Sequence, residues 1–519
     1  SGNSTSGRTL SHSLGSVPAM MIIKQTNGTN AWFVYHKDFI KDSAAAPNSA
    51  LFLNLADAGD SNAGYFNNTA PTDSVFTLGN SSGDWGINGS GENYVAYLFA
   101  DNSSEDADDQ MIKCGSYTGN GSVTGPVVDL GWEPQFLITK VVNSNHWNMW
   151  DSMRGVTTGG NDSRLYPNLG NAEDFSEKIE FNSTGFQIKS SSISINTSGV
   201  ETIYMAIRAP MMKEPEAATD VFAVDTRGTS AATADGVVWH SGFPVDLAVQ
   251  KNVTSVADTA FYDRFRGSYN LSTANAAAEA NQGGHKFDSM NGFDVRTLSA
   301  ATNQLAWMWK RAKGFMDVVA YSGTGSARTV PHSLGVAPEM MWVKSRSHSE
   351  NWMVYTDTSG ANKYIYLNSA SAPNIYNTWN GTAPTDSVFS LSNIDEVNGS
   401  GKTYIAYLFA TLAGISKVGS YTGNGSNNHV IDCGFTNGAR FVLTKRISGS
   451  GQWYLFDSVR GITVGSTDPF IMLNLNNAQQ TEAAGMGPDT IQPHSSGFQL
   501  TTGADLNDNG HTFIFYAIA

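Results

Sequence analysis

Two cysteines stand in 519 residues, Cys114 and Cys433. They are too few for a disulfide framework or a four-ligand zinc site, and they read as two partly buried thiols. Charge is also scarce, at 15% of residues with a net −15. Long charged helices are therefore not the architecture. The acidic balance argues against a phosphate-backbone partner and against an anionic membrane surface, since both call for Lys and Arg. No run of about 18 apolar residues occurs, so no helix is expected to span a bilayer. Nor does a charged-then-apolar signal segment follow Ser1. What is plentiful is glycine, 52 residues, alongside 11% aromatics. That is the composition of many short strands joined by turns.

The strands come in repeats. Gly115-Ser-Tyr-Thr-Gly-Asn-Gly-Ser122 returns unchanged as Gly419-Ser-Tyr-Thr-Gly-Asn-Gly-Ser426, and more weakly as Tyr321-Ser-Gly-Thr-Gly-Ser326. After each copy comes an apolar strand ending in Lys, then a strand carrying Trp or Phe, and finally an aromatic closing strand. The strand-ending lysines, Lys24, Lys140, Lys251, Lys344 and Lys445, recur at intervals of 93 to 116 residues. This period is too long for a solenoid coil and suits a small β-domain. The sequence predicts an all-β chain of five antiparallel β-sandwich modules of about 100 residues: 1–112 (type A, first strand incomplete), 113–212 (type B), 213–314 (divergent), 315–411 (A) and 412–519 (B). The A units share Thr-Ala-Pro-Thr-Asp-Ser-Val-Phe at 69–76 and 382–389. Joints are short, so neighbours are expected to pack end to end or side by side, with a rod approaching about 200 Å if extended. Helix is scarce, the best stretch being Ala274–Gln282. Because Arg8-Thr-Leu-Ser-His-Ser-Leu-Gly15 matches Arg328-Thr-Val-Pro-His-Ser-Leu-Gly335, the chain opens inside a repeat and reads as part of something longer.

Chemistry-bearing patterns are few. Neither His-Glu-x-x-His nor a full phosphate-binding loop ending in Gly-Lys-Ser/Thr occurs. The acidic cluster Glu105-Asp-Ala-Asp-Asp109 falls in an expected linker and reads as solvated; calcium is conceivable there but not indicated, and no cofactor is expected. A β-sandwich glycosidase needs two carboxylates across one cleft, and no such pair stands out. The sharpest polar signal is Asp-x-x-Arg-Gly, formed by Asp151 with Arg154, Asp263 with Arg266 and Asp457 with Arg460. Its architectural reading, Asp paired to Arg or to an amide at a strand end, outweighs a ligand-gripping rim. The three copies are expected to be structural positions of the repeat. His36 and Thr356 replace the Asp in the A units. The five lysines are expected to lay their stems over the sheet with heads in solvent. His12 and His332, in His-Ser-Leu-Gly, read as sheet-edge hydrogen-bonding residues. Trp85 and Trp379, in loop-like surroundings, are the choices for surface ligand contacts. No catalytic or metal-ligating residue is expected.

The order Gly-Ser-Tyr-Thr-Gly-Asn-Gly-Ser, Gly131-Trp132 or Gly434-Phe435, Lys strand, Trp strand, Asp-Ser-x-Arg-Gly resembles a module repeated in marine, cyanophage-like bacteriophage tail, fibre and other virion structural proteins. The resemblance covers nearly all of the chain and is weakest in the third unit. It implies a lectin-like, jelly-roll (concanavalin-like) sandwich and a structural role on the virion exterior, facing the host surface. It brings no catalytic residues. It further implies other virion proteins as partners and a homo-oligomer, commonly a trimer, with a host glycan or protein as receptor; nucleic acid and membrane insertion are not expected. A cell-surface adhesin or lectin is the alternative, and a polysaccharide-degrading spike a third reading. The A units depart from the pattern by lacking Asp-x-x-Arg-Gly, and the fifth has Thr436-Asn-Gly-Ala439 where others place Pro.

Overall fold

A computed structural model describes residues 1–41, 46–82, 86–101, 110–156, 162–209, 212–227, 239–282, 285–295, 303–465, 467–482, 486, 489–502 and 504–519. The chain forms two compact units, Ser1–Met211 and Met212–Ala519. It is all-β, and its sheets are antiparallel. Several larger sheets are accompanied by a two- or three-stranded sheet, an arrangement consistent with repeated sandwiches.

The larger sheets share one strand order. In the fifth repeat an opening strand (Ser416–Thr422) pairs with the closing strand (Thr512–Ile518), which pairs with the Lys strand (Phe441–Arg446), then with the aromatic strand (Trp453–Asp457). The third and fourth repeats follow suit with opening strands Phe222–Arg227 and Met316–Ser322 and closing strands Gln304–Trp309 and Thr403–Phe409. The second repeat places Ile112–Thr118 against Glu201–Arg208 in the same way. In the first repeat the closing strand Tyr94–Ala100 pairs with the Lys strand Pro18–Gln25 and is the last strand of its sheet among the described residues.

Successive side chains on a strand point to opposite faces. A sandwich buries only one of them. In the fourth closing strand Tyr404, Ala406 and Leu408 enter the repeat's own core, while Ile405, Tyr407 and Phe409 enter a different one. The fifth divides the same way, Phe513, Phe515 and Ala517 against Ile514, Tyr516 and Ile518. So does the third, with Leu305, Trp307 and Trp309 on the shared side. One continuous cluster of buried side chains thus joins the third, fourth and fifth repeats. The unbroken apolar runs do mark strands buried on both faces, but the second face is covered by neighbouring repeats. An end-to-end row is not the arrangement within residues 212–519.

Loop-to-edge contacts go round this core in a closed cycle. Trp352 Nε1 donates to Ser272 O at 2.7 Å, joining the fourth repeat to the third. Trp453 Nε1 donates to Tyr366 O at 2.9 Å, joining the fifth to the fourth. Thr273 Oγ1 donates to Leu473 O at 2.6 Å, and Gln479 N to Val253 O at 2.9 Å, joining the third and fifth. Among the described residues of 1–211 one such joint is present: Trp147 Nε1 donates to Phe52 O at 2.8 Å over a two-repeat core that includes Val34, Leu51, Ile138 and Met205.

Among the described residues, helix is confined to single turns such as Ala63–Phe66, Asp395–Asn398 and Ala504–Asn507. Ala274–Gln282 is not among them. Asn275 Oδ1 caps Ala277 N–H at 2.9 Å, Glu279 N–H reaches Arg346 O at 2.8 Å, and Ala280–Asn281 is a short strand. Tertiary partners override the local alanine propensity.

The shared core makes a prediction. Trp342 is buried against Phe261 of the third repeat and Phe409 of its own. Trp342→Ala is expected to cost about 3–5 kcal/mol. Hydrogen exchange should show Leu247–Asn252, Met340–Ser345 and Phe441–Arg446 losing protection together. Loss confined to Met340–Ser345 would mean that the repeats are energetically separate.

Candidate functional site

The Asp-x-x-Arg-Gly elements fold into one local clasp used three times. In each, the Asp ends or follows the aromatic strand and the Arg turns back onto it. The Nε of Arg154 donates to Asp151 Oδ2 at 2.6 Å, that of Arg266 to Asp263 Oδ2 at 2.5 Å, and that of Arg460 to Asp457 Oδ2 at 2.6 Å. The Arg amide donates to Asp Oδ1 at 2.8, 3.0 and 3.0 Å in the same order. The following glycine has positive φ in all three: 105° at Gly155, 58° at Gly267 and 135° at Gly461. A side chain there would be strained, which is why the motif ends in glycine.

What lies beyond the clasp differs among the three copies. Arg154 is the departure. Its side chain keeps 20% of its surface exposed, against 0% for Arg266 and 6% for Arg460. Beyond Asp151, Arg154 reaches Glu173 at 3.2 Å, a residue of its own repeat. Asp263 and Arg266, by contrast, are wholly buried. Tyr407 of the fourth repeat donates to Asp263 Oδ2 at 2.6 Å, and Arg266 donates to the Tyr407 hydroxyl at 2.9 Å. Glu279 lies beside the same guanidinium and takes two hydrogen bonds from Arg346, both at 2.9 Å. Burial opposes the charge on Arg266, but Asp263, Tyr407 and Glu279 outweigh it and hold its pKa above the ordinary value. In the fifth repeat, Asp457 accepts the Trp307 indole N–H of the third at 3.1 Å, and the Arg460 guanidinium lies 5.4 Å from that ring. In residues 212–519 the motif is a joint between repeats, and its Arg has no open face for a ligand. Around Arg154 it is a clasp within one repeat. The physical reason is that a neighbour's closing strand covers the other two copies.

The five lysines do not keep their heads in solvent. Lys140, Lys251, Lys344 and Lys445 are buried, and Lys24 is half-buried. Each ammonium donates to carbonyls near the end of its strand: Lys24 to Asn30 (2.5 Å), Lys140 to Val141 and Asn143 (2.9 and 2.7 Å), Lys251 to Ala257, Lys344 to Ser345 (2.6 Å). Lys445 donates to Gly451 (2.5 Å) and across the joint to Ala370 (3.2 Å). In residues 212–519 the lysine ties down a loop that another repeat contacts. Burial pushes its pKa down, to about 8 in Lys140, Lys251 and Lys445 and about 7 in Lys344.

Trp379 is fully buried. Its ring lies edge-on to Tyr355 and its indole N–H donates to Lys363 O at 2.9 Å, so it offers no surface to a sugar. Hydrophilic neighbours in sequence concealed a core residue. Trp85 and the cluster 105–109 lie outside the described residues. His12 and His332 sit on the sheet edge, Nε2 3.2 Å from Thr72 O and Thr385 O within the shared octapeptide. His36 Nδ1 accepts the Asp38 amide (3.2 Å) and Thr356 Oγ1 the Ser359 amide (3.2 Å), each filling the place of the clasp Asp. Gly79-Asn-Ser-Ser-Gly83 has the Gly-x-Ser-x-Gly spacing of a serine elbow, contrary to the expectation that none occurs. Its Ser81 bonds to backbone, accepting Ile87 N–H at 3.4 Å and donating its amide to Gly64 O at 3.0 Å. Among the described residues no group of three or more His, Cys, Asp or Glu is arranged to hold a metal.

Sequence reasoning missed one open polar groove. It has a volume of about 450 Å³ and is lined by Glu339 and Asp357 of the fourth repeat and by Lys417, His429 and Asp432 of the fifth. Gly419-Ser-Tyr421 of the recurring octapeptide forms part of one wall, but the groove needs the fourth repeat for the other.

Residues 1–210 and 226–519 match a family described as a domain of unknown function, DUF7483, and the chain belongs to that family. No curated protein matches the sequence.

The buried charges carry two testable consequences. Asp263→Ala leaves Arg266 buried without its closest counter-charge and is expected to cost about 3–5 kcal/mol; Asp151→Ala, at the partly exposed clasp of Arg154, should cost about 1 kcal/mol or less. Denaturant titration of both variants decides it, and equal losses would contradict the distinction. The lysines give a pH dependence. Between about pH 7–8 and 10 the unfolded chain still holds protons that the folded lysines have released, so stability rises with pH there. Above about pH 9 the buried thiols oppose this, since burial raises Cys433 to about 12 and moves Cys114 the same way. The melting temperature should therefore climb from pH 7 to about 9. Lys344→Met should flatten the climb, and an unchanged slope would count against it.

Proposed function

We propose that the protein is a phage virion structural component: a fibre, spike or capsid-attached appendage built of repeated jelly-roll-like sandwiches, placed on the virion exterior and contributing to host-surface attachment. The observation that carries this reading is the fate of the residues with the best claim to chemistry. The clasp Asp and Arg residues and the strand-ending lysines are turned inward, onto carbonyls, aromatic rings and one another, where those of residues 212–519 fix repeats together. A reactive centre needs such groups facing a cleft. Non-enzymatic work by outer surfaces accords with this arrangement, and multiple copies would multiply weak contacts by effective concentration. The partners on this reading are other virion proteins and further copies of the same chain, in a trimer, with neither nucleic acid nor membrane insertion involved.

The adhesin or lectin reading is favoured by one feature, the groove between Glu339, Asp357, Lys417, His429 and Asp432. Its acidic and basic side chains suit a hydroxyl-rich ligand such as a glycan.

Gold-labelled antibody against residues 212–519 should decorate particles at a fixed external position. Absence from purified particles would refute the virion assignment. A glycan array distinguishes the second reading: binding lost on Asp357→Ala together with His429→Ala would place attachment in the groove. Turnover of any array glycan would overturn both.

A further inference from the structure

The groove shared by the fourth and fifth repeats lies between two sheet edges. The opening strand Ser416–Thr422, last in the fifth repeat's larger sheet, forms one side of it, and His429–Asp432, last in the smaller sheet, another. Glu339 and Asp357 of the fourth repeat complete it. Its hydrogen-bond acceptors are held in place by the fold. Glu339 Oε2 accepts the Thr411 amide at 2.6 Å, Asp357 Oδ1 the Thr358 amide at 2.6 Å and Asp432 Oδ1 the Gly434 amide at 2.8 Å. One oxygen of each carboxylate is thereby anchored, and the second has no protein partner among the described residues. His429 Nδ1 lies 2.7 Å from Asn507 Oδ1, an oxygen that also accepts the Asn424 amide. Nδ1 is therefore the donor, and Nε2 of the neutral ring is left as an acceptor. Lys417 also lines the groove and makes no ion pair among the described residues.

The joint of the third and fourth repeats fills the matching place with cations of the chain itself. There Asp246 N–H donates to Trp309 O at 2.8 Å and Arg311 N–H to Asp246 Oδ2 at 2.7 Å. At the next joint Glu339 N–H donates to Phe409 O at 3.0 Å and Thr411 N–H to Glu339 Oε2 at 2.6 Å. Glu339 thus corresponds to Asp246, and Thr411 to Arg311. Asp357 corresponds to Arg264, since their amides donate to Glu339 O and Asp246 O, each at 3.0 Å. Strand register equates Lys417 with Asp317. At the first joint Arg264 Nε donates to Asp246 Oδ1 at 2.8 Å and Arg311 Nε to Asp317 Oδ1 at 2.6 Å. At the second, both arginines are gone. The acid is kept at Glu339, a second stands at Asp357, and neither has an ion-pair partner among the described residues.

We propose that the groove binds an amino sugar through its free ammonium group, which takes the place of the missing guanidiniums beside Glu339 and Asp357, while ring hydroxyls meet Lys417, His429 and Asp432. This rests on the glycan reading of the groove and narrows it from hydroxyl-rich glycans in general to those carrying an unacetylated amine. An ammonium brings three donors to a groove rich in acceptors. Its bonds to carboxylate oxygens are of the strong, charge-assisted kind that a neutral sugar does not make. Carboxylates already anchored by one oxygen lose little side-chain freedom on binding. The acids are not grouped as metal ligands are, so the cation is the ligand's own.

Calorimetry on the full chain tests this with a chitosan tetrasaccharide, whose rings carry free amines, and the fully acetylated chitin tetrasaccharide. The amine form should bind one-to-one and at least about tenfold more tightly, the worth of one charge-assisted hydrogen bond. Glu339→Gln with Asp357→Asn keeps the oxygens that accept backbone amides and removes the charges; it should abolish the preference. Asp357→Asn alone, at an exposed side chain, guards against a folding defect and should remove part of it. Equal binding of the two sugars overturns the proposal. So does tetralysine binding as tightly as chitosan, which would mark a site for any amine. If chitosan does not bind while another glycan does, and that binding is lost on Asp357→Ala with His429→Ala, the amine inference fails and the glycan reading stands. If no glycan binds, both fail.

Discussion

A strand that is apolar on both faces needs two partners, and most of this architecture follows from that need. On the closing strands of the third, fourth and fifth repeats, nine side chains (Leu305, Trp307, Trp309, Ile405, Tyr407, Phe409, Ile514, Tyr516 and Ile518) point away from their own sandwiches. At about 1.5–3 kcal/mol for each side chain fully buried, exposing them forfeits more than the net stability of about 5–15 kcal/mol that a whole domain commonly has. A repeat of this sequence therefore cannot be a free-standing bead. Its neighbours are part of its core, and short joints between repeats follow from the same demand.

Hydrophobic burial alone does not fix which loop meets which edge. The polar groups at the joints supply that specificity. Each indole or hydroxyl at a joint reaches a carbonyl or carboxylate oxygen, and a buried donor left without its acceptor is costly. The ionic cluster of Asp263, Arg266, Glu279 and Arg346 is the extreme case, since a hydrophobic replacement of similar shape would serve stability as well or better. Its pairing with the Tyr407 hydroxyl ties the third repeat to the fourth in one register. The corresponding Asp457 takes the Trp307 indole instead. Related clasps thus make different joints, which lets similar repeats occupy fixed places.

The all-β fold was legible because short apolar strands, Gly-rich turns and recurring octapeptides are local signals. The clasp was legible too: Asp and Arg three residues apart at a strand end, followed by Gly, are local chemistry. What separates Arg154 from Arg266 and Arg460 was not, since identical local motifs differ only in what a neighbouring repeat lays over them. Three further readings failed, and each depended on what lies across a joint or beneath a loop. The lysines were expected to reach solvent, but the loop after each strand folds over the ammonium and offers carbonyls. Trp379 sits between Asn377-Thr378 and Asn380-Gly381, polar company that conceals a ring packed on Tyr355. Ala274–Gln282 has helical composition, yet Glu279 is taken by Arg346 of the next repeat. The polar groove shared by the fourth and fifth repeats was not legible, for although Lys417–Tyr421 and His429–Asp432 line one side, the fourth repeat supplies the other.

Each repeat offers two complementary features, a loop after its Lys strand and an outer sheet edge, and each joint matches the loop of one to the edge of another. Such a head-to-tail contact differs on its two sides, so it ends only when a ring closes. Residues 212–519 close it with three repeats. Residues 1–211 make the contact once, at Trp147 and Phe52, in the geometry that Trp453 and Tyr366 repeat. With two repeats the cycle cannot close. The loop of the first repeat (Thr26–Thr29) is exposed, as is Leu169 at the outer edge of the second. Closure and its absence therefore come from one rule applied to three repeats and to two. The half-open faces of residues 1–211, Tyr97 among them, are the surfaces that the same rule covers elsewhere in the chain.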